Sequence, residues 1–128
     1  VLKLLHIAQP TRAYFGEKDF QQLELIRGMV KSFFLPVDIV SCAIVREGDG
    51  LAMSSRNTRL SHVDRKHAPH FHQILTQAAN ADEARRALTE DGFDVDYVED
   101  IAFGPSTRRF GAVRMGPVRL IDNCEVQQ

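Results

Sequence analysis

The chain has 128 residues, 14.4 kDa, with 44% apolar and 26% charged residues and a formal net charge of −1. That balance describes an ordinary globular chain of one domain, or two small units at most. Near-neutrality gives no electrostatic case for nucleic acid or an anionic membrane, and no apolar run approaches the roughly 20 residues of a membrane span. Two cysteines, Cys42 and Cys124, lack metal-ligand spacing. They read as buried, reduced thiols and imply a cytoplasmic protein.

In chain order, Val1, Leu4, Leu5 and Ala8 recur at helical spacing until Pro10. The pattern is under way at the first residue with no initiator Met, so further sequence is expected upstream. Ala13-Tyr14-Phe15 reads as a short buried strand ending at Gly16. Leu23, Ile26, Met29 and Phe33 then give a helix over 20–34, with Asp19 and Gln22 spaced as a capping box and Pro36 as the stop. Val37 to Val45 is nearly continuous apolar, the signature of a strand buried in a parallel sheet. Helix, strand, helix, strand is a βαβ rhythm.

Glu47-Gly48-Asp49-Gly50 makes a turn-rich loop that leads to Met53-Ser54-Ser55-Arg56-Asn57. Ser61 caps a short helix, with Asp64 three residues on. Pro69 opens a second helix whose buried face is Phe71, Ile74, Leu75 and Ala78. A third runs from Ala81 to Glu90 and stops before Gly92. Three strands follow, Val95–Phe103, Phe110–Met115 and Val118–Ile121, with Gly116-Pro117 turning the last pair into an antiparallel meander. The composition changes near 56–61, which predicts one domain over 1–58 and another over 59–128.

Two polar clusters stand where strands end and helices begin: Gly16-Glu17-Lys18-Asp19 with Gln22, and Met53-Ser54-Ser55-Arg56. Ligands bind at that position in open α/β sheets, where loop and helix N–H groups converge. The residue types suit adenylation, in which preorganised cations stabilise charge on the α-phosphate as pyrophosphate leaves. Lysine acts as a point charge and arginine as a planar fork for phosphate oxygens. A plainer explanation exists for each: Asp19 and Gln22 as a helix cap, Lys18 and Arg56 as surface cations, Ser54 and Ser55 as loop hydroxyls. The recurrence of both clusters after successive strands favours the ligand reading.

Phe15 to Leu23, Val45 to Asn57 and Arg119-Leu120-Ile121-Asp122-Asn123 resemble the pantothenate synthetase (pantoate–β-alanine ligase) family, in the family's order and spacing. The likeness implies an α/β fold: the end of a Rossmann-like parallel-sheet nucleotide-binding domain, followed by a small α+β domain with helices and a three-stranded antiparallel sheet. It implies ATP-dependent joining of pantoate and β-alanine through a pantoyl-adenylate. By resemblance, Gly16, Glu17, Lys18 and Asp19 contact ATP, Lys18 near the phosphates and pantoate and Asp19 on the ribose. Gln22 holds pantoate, Val45 lies against adenine, and Met53, Ser54, Ser55 and Arg56 form a mobile phosphate-gripping loop. Mg²⁺ accompanies ATP, held mostly by phosphate oxygens and water, and the family is usually homodimeric. The family's His-x-Gly-His motif, which grips ATP, has no counterpart here, so the chain reads as the family's C-terminal portion, inactive alone. Two rival readings are a nucleotidyltransferase that adenylates another small acid, and a non-catalytic nucleotide-binding module.

Four histidines, His62, His67, His70 and His72, lie close together. With Pro69 between them and no acidic or Cys ligand at metal spacing, they read as exposed helix residues, and no metal site is expected. Thr107-Arg108-Arg109 reads as a solvated turn. Phe20, Phe33, Phe34 and Phe71 read as core, and Arg119 to Asn123 as the end of the last strand.

Overall fold

The computed structural model describes residues 1–126. By packing, the chain divides into two units, Val1–Ile44 and a second that starts at Val45. In this division Met53–Arg56 fall in the second unit.

The first unit is built by proline punctuation. Helix α1 (Leu2–Ala8) ends at Gln9, which adopts a left-handed conformation and donates its N–H to Leu5 O at 2.9 Å. After Pro10 comes strand β1 (Arg12–Gly16), then a single-turn 3-10 helix (Glu17–Asp19), helix α2 (Phe20–Ser32) and strand β2 (Asp38–Cys42). β1 and β2 pair in parallel, Arg12 opposite Asp38 through Gly16 opposite Cys42. This is the expected βαβ rhythm, with α2 as the crossover. α2 buries Phe20, Leu23 and Ile26 along one stripe.

Several local expectations change here. Among the described residues β1 pairs only with β2, and the residues of both strands are exposed or half-buried. Cys42 is exposed rather than buried, and Cys124 is half-buried, packed against the edge of the core. Phe33 and Phe34 are 59% and 91% exposed. The helix has already ended at Ser32, and Phe34 takes a left-handed φ of 51° that turns the chain before Pro36.

The second unit carries an antiparallel sheet ordered β3 (Asp94–Phe103), β4 (Ser106–Met115) and β5 (Val118–Val126). Helices α3 (His62–His67), α4 (Pro69–Gln77) and α5 (Ala81–Glu90) precede it. The helix starts follow the sequence. Ser61 Oγ accepts from Asp64 N at 3.1 Å, Pro69 opens α4, and Asn80 Oδ1 accepts from Glu83 N at 2.9 Å. α4 packs on β5 and α5, and α5 packs on β3. Phe71, Leu75, Ala84 and Leu88 from the helices meet Val98, Val113, Met115 and Leu120 from the sheet. Gly111 makes that approach possible. A Cβ there would lie 2.9 Å from Leu75 Cδ2 and 3.0 Å from Phe71 Cε2.

Two further expectations fail in this sheet. Thr107-Arg108-Arg109 lies within β4, and the turn falls at Gly104-Pro105. Arg109 is 1% exposed, since its guanidinium grips Asp100 at 2.7 and 2.9 Å and donates to the carbonyls of Leu75 and Ala78 at 2.9 and 2.6 Å. It satisfies carbonyls that the end of α4 leaves without helical partners. The Asp100 hydrogen bond, outweighing burial, raises its pKa. Arg119 to Asn123 likewise does not end β5, which runs on to Val126 opposite Thr107.

Candidate functional site

In the first unit the parallel pairing puts the carboxyl ends of β1 and β2 side by side, Gly16 beside Cys42. The chain leaves β1 there through Glu17-Lys18-Asp19 and enters α2. Gly16, Asp19 and Gln22 are exposed, and Glu17 and Lys18 half-buried. Asp19 does not cap α2: its side chain accepts no cap hydrogen bond, and its backbone, at φ −95° and ψ 61°, lies outside the usual cap conformation. The capping-box explanation for Asp19 and Gln22 is thereby removed. Two concavities of about 500 Å³ each lie elsewhere in this unit, beside residues 34–37, and none of the expected site residues lines either.

In the second unit, Val45 and Met53 close a loop by Met53 N–H to Val45 O at 2.9 Å, with Arg46 bridged to Ala52 and Glu47 N donating to Leu51 O. Inside it, Asp49 accepts from Leu51 N at 3.2 Å and pairs with Arg65 at 2.6 Å. The Arg65 hydrogen bond holds the Asp49 carboxyl below its ordinary range. Beyond Met53, Ser54 Oγ accepts from Arg56 N at 3.2 Å and starts a short 3-10 helix, Ser55–Arg59. The side chains of Met53, Ser55 and Arg56 remain exposed. Val45, Met53, Ser54, Ser55 and Arg56 thus share one loop and its exit, while Gly16 to Asp19 and Gln22 share the end of β1.

The base of that loop is tied by Arg46, Asn57, Asp122 and Asn123, which lie in the family-like segments but were given no part in the site. Arg46 donates to Asp122 at 2.7 and 2.9 Å, to Gly50 O at 3.1 Å and to Asn123 O at 3.5 Å. Asp122, only 4% exposed, also accepts from Asn123 N at 2.8 Å, and His72 Nδ1 lies 3.1 Å from its Oδ2. Burial pushes the Asp122 carboxyl up, but the His72 and Arg46 contacts outweigh it, and its pKa is lowered. Asn57 is buried and donates Nδ2–H to Ala52 O at 3.0 Å, fixing the exit of the loop. A signal for these residues existed: Arg46 and Asn57 flank the polar cluster, and Asp122-Asn123 is a polar pair directly after the apolar Leu120-Ile121.

Among the described residues, one group of three side chains could hold a metal: His67, His70 and Asp91. No helix of the described residues is long and apolar enough to cross a membrane.

The architecture is therefore a βαβ unit with a polar turn at its carboxyl edge, followed in the chain by a helix-covered antiparallel sheet bearing a tethered Ser-Ser-Arg loop. Residues 1–125 match the family model described as Pantoate-beta-alanine ligase, and the chain belongs to that family. It is 52% identical over 126 residues to a pantothenate synthetase of Bdellovibrio bacteriovorus, covering 98% of this chain and 49% of that protein. A pantothenate synthetase of Coxiella burnetii is 48% identical over 123 residues, with 96% and 46% covered. The crystal structure of pantothenate synthetase from Thermus thermophilus superposes with a TM-score of 0.85 at 38% identity, over 99% of this chain and 54% of that one. Pantoate-beta-alanine ligase from Francisella tularensis, complexed with beta-gamma ATP and beta-alanine, gives 0.83 at 38% identity, over 96% and 46%. The chain spans about half the length of the curated relatives it matches.

Proposed function

We propose that this chain contributes to an ATP-dependent pantoate–β-alanine ligase, supplying part of its adenylation site. The family match over residues 1–125 carries the reading. The Francisella relative, complexed with beta-gamma ATP and beta-alanine, supports those two substrates. In the proposed reaction the pantoate carboxylate attacks the α-phosphorus of ATP, and the bond to pyrophosphate breaks. The β-alanine amine then attacks the acyl carbon of the adenylate, loses a proton and expels AMP.

Lys18 would stand near the phosphates and pantoate as a point charge, and Arg56 would present a planar fork to phosphate oxygens. Ser54 and Ser55 would donate hydroxyl hydrogens to the same oxygens. Asp19, which has no duty as a helix cap, would accept hydrogen bonds from the ribose hydroxyls, with Gly16 and Glu17 beside it. Gln22, one helical turn on, would hold pantoate, and the Val45 backbone would face adenine. Exposure of Met53, Ser55 and Arg56 beside a tethered base suits a segment that closes over ligand and excludes water from the adenylate. Mg²⁺, when bound, would neutralise phosphate charge. The described residues offer it carboxylates at Glu17 and Asp19 but no oxygen cage, consistent with a hydrated ion held chiefly by ATP. A cytoplasmic site for this chemistry belongs to the same proposal, in keeping with two cysteines that form no disulfide.

The test is pantoate-dependent exchange of pyrophosphate into ATP by the protein that carries this chain. Lys18→Ala, once circular dichroism shows its fold intact, should lower exchange by about 10²-fold or more. Activity within severalfold of wild type would refute the role of Lys18. Stimulation by another hydroxy acid in place of pantoate would overturn the substrate assignment.

A further inference from the structure

His67 closes α3, His70 lies in the first turn of α4, and Asp91 follows the last residue of α5. Asp91 Oδ2 lies 2.7 Å from His67 Nε2 and 3.0 Å from His70 Nδ1. All three potential ligand atoms fall within 4.8 Å of one another. Pro69 does not spoil this geometry, because Ala68 between the helices keeps a right-handed helical backbone, φ −51° and ψ −35°. His67 and His70 therefore retain i, i+3 spacing on one face.

The rest of the surroundings hold the three groups in place. The His67 ring stacks on Phe93 with centroids 4.5 Å apart and planes 24° apart. His70 stands edge-on to it, at 5.1 Å and 85°. Gly92, at φ +95°, makes the sharp turn after Asp91, and a Cβ there would come within 4.0 Å of the His67 ring. His70 is half exposed, which leaves a path for a solvated ion.

Two imidazole nitrogens and one carboxylate oxygen match the donors of a borderline divalent ion better than those of Mg²⁺ or Ca²⁺, which take oxygen. Ligand atoms on a tetrahedral ion with bonds of about 2.0–2.1 Å lie roughly 3.3 Å from each other. The present N···O separations, 2.7 and 3.0 Å, need to widen by about 0.6 and about 0.3 Å to reach it. We propose that His67, His70 and Asp91 form a Zn²⁺-type site, completed by water, that clamps the α3–α4 junction to the end of α5. Each ring coordinates through the nitrogen now facing Asp91 and carries its proton on the other. The site is separate from the residues assigned to adenylation and does not depend on that assignment.

Isothermal titration of the metal-free protein with ZnCl₂ tests it, with His70→Ala, Asp91→Asn and His62→Ala compared after circular dichroism confirms their folds. One Zn²⁺ per chain is expected, with affinity about tenfold or more weaker in His70→Ala and in Asp91→Asn and unchanged in His62→Ala. Zn²⁺ should also raise the melting temperature of the parent and not of His70→Ala. Absence of saturable binding below about 1 mM, or binding of equal strength in the parent, His70→Ala and Asp91→Asn, would overturn the proposal.

Discussion

The unit that begins at Val45 surrounds Phe71, Leu75, Val113 and Leu120 with helices and sheet, whereas the unit Val1–Ile44 fully hides little beyond the α2 stripe. Seven large hydrophobics are exposed in the first unit, Phe34 and Leu25 foremost, against three in the second among the described residues. A three-stranded sheet under two helices has a face to bury and the means to bury it; a two-stranded pair has neither. Of the residues proposed for adenylation, Gly16 to Asp19 and Gln22 belong to the first unit, and Val45 and Met53 to Arg56 to the second.

Core truncation puts this contrast to its hardest test. Leu75→Ala should cost about 4 kcal/mol, because its neighbours in a dense interior cannot collapse into the gap. Leu23→Ala, similarly buried in the first unit, should cost nearer ~2 kcal/mol, since half-exposed neighbours can relax toward it. Urea denaturation of both variants measures this, and equal losses would break the contrast.

Next in size is Arg109→Ala, expected to cost about 3 kcal/mol by stranding Asp100 and the carbonyls of Leu75 and Ala78. Arg109→Met, which fills the space with apolar atoms, should recover part of the loss. If Arg109→Ala melts with the parent, the buried guanidinium does not hold α4 to β4.

The smallest effect is on acid stability. Asp122 has a lowered pKa in the fold, so its contribution is complete above the ordinary carboxylate value of about 4 and disappears as pH falls through the lower folded value. Asp122→Asn should remove roughly 1 kcal/mol at about pH 7 and flatten the loss of stability below about pH 4. A denaturation series from about pH 2 to about pH 7 reads it, and an unchanged acid limb would show that Asp122 is not the group responsible.

Local chemistry was legible in the sequence and distant pairing was not. Ser61, Pro69, the bounds of α5 and the turn at Gly116-Pro117 are written in adjacent residues, and the structure has them. Val37 to Val45 looked buried because an apolar run says nothing about how many strands cover it. Arg109 looked like a turn residue because its partners, Leu75 and Ala78, are 34 and 31 positions away. Asp91 escaped the histidine cluster for the same reason, lying 24 and 21 residues beyond its two partners. The candidate site shows both cases. The first polar cluster was visible as the strand-to-helix turn it is, whereas the second sits at the exit of a loop well past β2, braced by Arg46, Asn57 and Asp122 contacts that depend on tertiary structure. The cap spacing at Asp19 and Gln22 was legible but misleading, since backbone angles decide whether a cap forms.

The tie between Arg46 and Asp122 spans 76 residues, and that separation has a meaning for the order of folding. Closing so long a loop costs chain entropy that only late, non-local contacts repay. During synthesis, Arg46 emerges long before its carboxylate exists. The local Asn57–Ala52 and Met53–Val45 bonds can form early, but the loop's tie to the sheet through Arg46 waits until β5 has joined it.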